Sequence, residues 1–214
     1  MVTAFTPALR ERLRGHLASF EPTPEPAAGR RQAAVAVVVM PGDDRRASVL
    51  LTLRARGLKR HGGQWAFPGG RRDEGETAAA TALRELAEEV GLELAEDDVL
   101  GRLDDYPTRS GFVIRPVVVW GREAELVPDP REVASVHRVP IDAIGAPRIR
   151  RPPFGGGPLP SLELPASVWP GRFAPLYTTM YAPTAAILHQ FMEVAVHGRD
   201  TRVAHFEQPR FAWR

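Results

Sequence analysis

Residues 70–92 read GRRDEGETAAATALRELAEEVGL, and the second half of this stretch has the spacing of a helix. Glu85, Glu88 and Glu89 stand at i, i+3 and i+4, so at about 100° per residue their carboxylates share one arc of the helix surface. Ala79, Leu83, Leu86 and Val90 gather on the opposite side, which gives a dry face for a core and an acidic face turned away from it. Like charges at this spacing weaken a helix by about 0.2–0.5 kcal/mol per pair. No Lys or Arg follows Arg84 within the helix to relieve them. A divalent cation would.

A solvated acidic face is the competing reading, but surface helices usually interleave basic residues, and this one does not. The lead-in also needs a reason. Phe67-Pro68-Gly69-Gly70 cannot be helical, because the proline and the glycine pair punctuate the chain. It brings an approachable backbone, carbonyls included, to the start of the acidic helix. Hard cations such as Mg²⁺ take oxygen ligands from a few carboxylates, water and substrate phosphate. Carboxylates one turn apart beside a backbone carbonyl make such a half-site.

The segment satisfies the pattern G-x5-E-x7-R-E-U-x-E-E-x-G-U (U apolar) at every specified position: Gly70, Glu76, Arg84, Glu85, Leu86, Glu88, Glu89, Gly91 and Leu92. It resembles the box of the Nudix hydrolases. The resemblance implies an α/β Nudix fold, an α/β/α sandwich with a mixed β-sheet, and cleavage of a diphosphate linkage with Mg²⁺ or Mn²⁺. It implies Glu85, Glu88 and Glu89 as metal ligands, helped by the Gly70 carbonyl, with Glu76 and Arg84 as an ion pair supporting the set. The general base stays open between Glu88 and a later acid such as Glu132, whose plainer role is a solvated residue at a strand edge.

The segment upstream, residues 50–70, reads LLTLRARGLKRHGGQWAFPGG. It resembles the signature of the coenzyme A pyrophosphatase branch, an LLTxR(S/A) run followed by a basic residue, GQ and FPGG; Lys59 stands where that signature has Arg. The resemblance implies coenzyme A or acyl-coenzyme A as substrate. Arg54 and Lys59 are then expected as diphosphate ligands, His61 as a phosphate or ribose contact, and Gln64 as a further substrate residue. Downstream, residues 129–144 (DPREVASVHRVPIDAI) resemble the family's segment ending in a VPL-type turn. Two departures bear on the substrate. TTMYAPTAAIL at 178–188 carries Ala182-Pro183 where a Gly-containing IWG-like run is expected, and residues 145–175 form a Pro/Gly-rich insertion outside the resemblance. Arg148, Arg150 and Arg151 in that insertion are candidates to read a 3′-phosphate or pantetheine arm. Other nucleoside diphosphate derivatives (ADP-ribose, a dinucleotide) and a non-catalytic binding protein remain as alternatives.

Composition agrees. The chain has 214 residues, 43% hydrophobic and 25% charged, enough for a full core in one domain. Cysteine is absent, which excludes disulfides, zinc-thiolate sites and a catalytic thiol. The formal charge of +2 is not that of a nucleic-acid binder, which carries a denser basic stripe. No apolar run reaches the ~18 residues that span a bilayer. The polar, Arg-rich N-terminus does not read as a secretory signal. The expected partner is a small nucleoside diphosphate, with no nucleic acid and no membrane, in the cytoplasm; a homodimer is left open.

Along the chain, residues 7–20 read as an amphipathic helix and 21–30 as a proline-rich linker, so 1–30 precede a single Nudix hydrolase domain at 31–214. Residues 33–40 (AAVAVVVM) suit a strand buried on both faces. Further strands are expected at 48–54, 99–106, 113–120 and 132–139, and a short helix at 141–145. A hairpin is expected at 159–164, and a helix at 183–197 with Pro183 in its first turn.

Overall fold

The valine-rich run predicted as a buried strand forms β1 (Arg31–Pro41), the centre of the fold. The computed structural model describes residues 3–26, 29–58, 61–150, 157–164 and 179–209. Val37 and Val39 point into one hydrophobic cluster, and Ala34, Ala36, Val38 and Met40 into another on the opposite face. Such period-2 alternation with both sides apolar requires cover on both sides.

Three strands complete the core of the sheet: β2 (Ala47–Arg54) and β8 (Val133–Pro140) on one side of β1, and β7 (Phe112–Trp120) on the other. The β1–β7 pair is parallel and the remaining pairs are antiparallel, so the sheet is mixed. Strand β5 (Val99–Arg102) and the short β6 (Tyr106–Pro107) both pair with β7. β1 and β2 stay paired only over residues 39–41 and 47–49. Beyond that they diverge, and the gap admits β3 (Trp65–Ala66) against β2 and β4 (Gly69–Arg71) against β1. The candidate site lies where the sheet splits.

Helix α2 (Ala78–Val90) covers one face through Ala82, Leu86 and Val90. The other face is covered by α1 (Pro7–Ala18) and α3 (Thr184–Phe191). Leu9, Leu13 and Leu17 of α1 share one cluster with Ile187, Leu188 and Phe191 of α3. The predicted α/β/α sandwich is therefore observed. The N-terminal helix is part of its core, with Leu13 fully buried.

Three local expectations change. The strand expected over 99–106 is broken, because Leu103, Asp104 and Asp105 leave the ladder. Asp104 is buried, with Oδ1 accepting from Thr23 N (2.7 Å) and Arg202 Nη1 (2.7 Å) and Oδ2 accepting from Gln190 Nε2 (2.6 Å). These bonds join both ends of the chain to the sheet edge. The hairpin expected at 159–164 is instead one strand, β10 (Leu159–Glu163), between β9 (Arg148–Arg150) and β11 (Thr179–Tyr181), because its partners are distant in sequence. The described part of the Pro/Gly-rich insertion thus supplies two strands of a second, three-stranded sheet, which β11 completes. The helix expected over 183–197 ends as α-helix at Phe191 and continues as a π-turn over Met192–Val196, where the Ala195 carbonyl lies 2.8 Å from His16 Nδ1 of α1.

Since α1 belongs to the main core, Leu13→Ala should lower the stability of the whole domain by about 2–5 kcal/mol. Urea denaturation followed by far-UV and near-UV circular dichroism should show one transition, shifted as a unit; an early phase confined to α1 would contradict this packing.

Candidate active site

Thr77 opens α2, its Oγ1 accepting from Ala80 N at 3.0 Å, and Gly91 closes it in the left-handed conformation (φ 71°) that glycine adopts without strain. Between these caps the helix is held by its apolar face, which fixes where the glutamates go. They do not all face open solvent, as the competing reading of a solvated acidic face would have it. Glu89 is 3% exposed and Glu85 is mostly buried, whereas Glu88 is exposed. The acidic arc is wedged against β4.

The glycine pair makes that approach possible. A Cβ on Gly70 would lie 2.4 Å from Glu85 Oε1, so the carboxylate occupies the space that any side chain would fill. A Cβ on Gly69 would lie 2.4 Å from the Ala34 carbonyl oxygen. Ladder alternation separates the two glycines' main chains. Arg72 N donates to Gln32 O and Ala36 N to Pro68 O, both at 2.9 Å, so Ala34 and Gly70 form the hydrogen-bonded pair between them. Gly70 therefore directs its carbonyl at β1. Gly69 occupies the alternate position and turns its polar groups outward, its N–H donating to Glu89 Oε2 at 3.3 Å. The main-chain oxygen presented beside Glu89 is that of Gly69, one residue before the one expected.

Two arginines hold the carboxylates. Arg84 Nε donates to Glu76 Oε1 (2.8 Å) and Nη2 to Glu76 Oε2 (3.1 Å), a bidentate pair, while Nη1 donates to Glu85 Oε1 (2.8 Å) and Glu88 Oε2 (3.1 Å). The helix that appeared to lack an internal counter-ion has one, at the neighbour of Glu85 and four residues before Glu88. Glu76 also accepts from Thr81 Oγ1 and Asp73 N, and the Arg84 hydrogen bonds, first among these, hold its carboxyl down at about 2. On the other side, Arg54 at the end of β2 places Nη1 3.7 Å from Glu89 Oε1. That distance is long for an ion pair, and Arg54 Nε is buried with no hydrogen-bond partner.

Burial is the chief reason that Glu85 sits above the ordinary carboxylate range, partly offset by Arg84. Burial likewise pushes Glu89 up to about 7; Arg54 pulls it down, and the charge of Glu132 pushes it up. Glu132 precedes Val133, which pairs with Arg54 of β2, the residue that reaches Glu89. It stands in the turn before β8, its carbonyl accepting from Ala55 N (2.8 Å). One buried and one partly buried carboxylate, with two more acids close by, form an all-oxygen donor set suited to a hard divalent cation. Among the described residues no group of three or more His, Asp or Glu side chains is placed to hold a metal ion by itself. The set fits a cation that takes further ligands from water and phosphate.

The remaining candidates are dispersed. His61 is in the loop between β2 and β3, in the left-handed region (φ 57°), with Gln64 N donating to its carbonyl at 3.2 Å. Gln64 lines a cleft of about 520 Å³ on the far side of that loop, together with Arg56, Trp65 and residues 179–184. The sequence reading missed this cleft; the only signal was the departure noted at 178–188. Arg148 and Arg150 are exposed on β9, and Arg148 pairs with Glu163 at 3.5 Å. Lys59 and Arg151 lie outside the described residues.

Residues 30–159 match the NUDIX domain family. The chain is 40% identical over 106 residues to Nudix hydrolase 3 of Caenorhabditis elegans, covering 47% of this chain and 44% of that protein. It is 37% identical over 123 residues to the uncharacterized Nudix hydrolase NudL of Pectobacterium atrosepticum (56% and 63% covered). It is 35% identical over 122 residues to the peroxisomal coenzyme A diphosphatase ndx-8 of Caenorhabditis elegans (55% and 52% covered). The chain thus spans about half the length of the curated relatives it matches. Among solved structures, a Nudix hydrolase from M. smegmatis, RenU, is 29% identical with a TM-score of 0.41, covering 53% of this chain and 73% of that one. Among the described residues no helix is long and apolar enough to cross a membrane.

Titration of the metal-free protein, followed by carboxyl ¹³C NMR, should find Glu89 protonating near pH 7, and Arg54→Met should raise that midpoint further. Because the folded-state pKa is the raised one, the proton favours the folded state. Stability from this group is complete below the unfolded carboxylate pKa and is lost as pH rises through about 7. A Glu89 midpoint in the ordinary range near 4.5 would contradict its burial.

Proposed function

This chain belongs to the NUDIX domain family, and from that premise we propose that it hydrolyses the diphosphate linkage of coenzyme A or acyl-coenzyme A with Mg²⁺ or Mn²⁺. The observation that carries the diphosphatase reading is the pair of carboxylates, buried Glu89 and partly buried Glu85, packed against Gly69 and Gly70. Supporting the substrate are the LLTLRA, GQ and FPGG elements of residues 50–70 and the similarity to a protein named as a coenzyme A diphosphatase.

In this reading Glu85, Glu88 and Glu89, with the Gly69 main-chain oxygen, hold the metal. When bound, Mg²⁺ or Mn²⁺ would neutralise phosphate oxygens and acidify the attacking water. The chain's own residues do the positioning. Arg84 locks Glu85 and Glu88 into one orientation and is itself fixed by Glu76. Arg54 offers a guanidinium at the mouth of the acidic pocket, suited to a diphosphate oxygen. Glu132 takes the proton from water, since it is exposed and stands next to Val133, the strand partner of Arg54, whereas Arg84 engages Glu88. Water adds to one phosphorus and the bridging P–O bond breaks. The products are 4′-phosphopantetheine and adenosine 3′,5′-bisphosphate.

Glu85→Gln and Glu88→Gln should each lower Mg²⁺-dependent turnover by several orders of magnitude while leaving the circular dichroism spectrum and melting temperature near wild type. A panel of coenzyme A, ADP-ribose and dinucleotides, with products read by coupled phosphate release, should rank coenzyme A first by kcat/KM. Preference for ADP-ribose would overturn the substrate, and undiminished activity in both variants would overturn the metal site.

A further inference from the structure

The cleft beside Gln64 takes no part in the chemistry above, yet its wall is joined to it. Gln64 O accepts from Arg54 N at 3.0 Å, and the Arg54 side chain extends from there to Glu89. A substrate whose diphosphate lies at the glutamates therefore meets the cleft one arginine side chain away. The cleft, at about 520 Å³, is of the size that holds small-molecule ligands, roughly 300–1,000 Å³.

Its walls are runs of consecutive residues. Successive side chains of a strand point to opposite faces, so a strand that lines a cavity with one face contributes every second residue. Here Thr179, Met180 and Tyr181, all of β11, line the cleft consecutively, which means that the strand presents its edge. The opposite wall, residues 62–65, is likewise consecutive, and it begins with Gly62 and Gly63, which have no side chains. Thr184 Oγ1 donates to Trp65 O at 2.9 Å and ties the two walls together. Trp65 and Met180 are buried in the core behind the cleft, and its apolar surface comes chiefly from Tyr181, 42% exposed.

Arg56 is the one cation among the described lining residues, and no carboxylate is among them. A phosphate group would be held by more than a single arginine, and a planar base between two exposed aromatic faces, whereas here Trp65 is buried and Tyr181 alone is exposed. The edge of β11, facing a wall that begins with two glycines and lying beside the exposed ring of Tyr181, suits a different chemistry, an extended chain whose amides pair with the backbone of β11 and whose methylenes lie on Tyr181. We infer that this cleft is the subsite for an uncharged, amide-bearing arm of the diphosphate substrate, of the pantetheine kind. The inference rests on the diphosphatase reading, which places the phosphates at the glutamates.

Pantetheine without phosphate separates the two. In ¹H–¹⁵N NMR titration of the full chain, pantetheine should shift the amides of residues 62–65 and 179–181 and leave those of Glu85, Glu88 and Glu89 in place. Thr179→Trp, which fills the cleft, should abolish these shifts at the same concentration. Gln64→Ala, milder in case the first variant fails to fold, should weaken binding several-fold. Shifts elsewhere, no shifts at saturating pantetheine, or the same shifts produced by adenosine in its place would each overturn the subsite. Pantetheine binding at the cleft in a protein that hydrolyses no diphosphate would sustain the subsite and defeat the hydrolase reading alone.

Discussion

The buried carboxylate of Glu89 is the constraint around which the site is organised. A charge removed from water is costly unless it is paired or hydrogen-bonded, and a second acid nearby raises the cost. The neighbours of Glu89 meet this only in part: one main-chain N–H from Gly69 at 3.3 Å, and Arg54 at 3.7 Å with its own Nε unsatisfied. Glu85 is held more firmly, by Arg84 at 2.8 Å and by the space over Gly70. The outcome is a pocket with more negative charge than its two arginines neutralise at close range. An additional cation relieves this, and the splitting of β1 from β2 opens the place where it can enter.

That splitting also explains why the site draws on such distant residues. β4 fills the gap on the β1 side and carries the glycines; β3 fills it on the β2 side and leads to Gln64 and Arg54. The turn before β8 brings Glu132, through the hydrogen bond of Ala55 N to its carbonyl. The α1–α3 face has no acid in this set. Its contribution is a second wall, β11 and the start of α3, for the cleft beyond the β2–β3 loop.

Much of this was legible in the sequence because the relevant signals are periodic or local. The valine run gave β1, the 3.6 spacing gave α2, and Gly91 gave its end. What was not legible depends on where elements meet. Spacing puts Glu85, Glu88 and Glu89 on one arc, but only the position of β4 decides that Glu89 is buried and Glu88 is not. The choice between the Gly69 and Gly70 carbonyls follows from hydrogen-bond alternation in a three-residue strand, too short to carry a pattern of its own. The strand expected over 99–106 failed because Asp104 bonds to Thr23, Gln190 and Arg202, partners far away in the chain. The TTMYAP segment resembled nothing expected, and its first strand lines the cleft.

The central claim, that the glutamates form a site for a divalent cation, is tested most directly by binding without turnover. Electron paramagnetic resonance of free Mn²⁺, titrated against the protein without substrate, should show bound Mn²⁺ for the wild type. In a folded Glu85→Gln, Glu89→Gln double variant the bound fraction should fall at least about tenfold, as expected when ligand carboxylates are removed. Equal Mn²⁺ binding by the double variant would contradict the account, because the cation would then be held elsewhere.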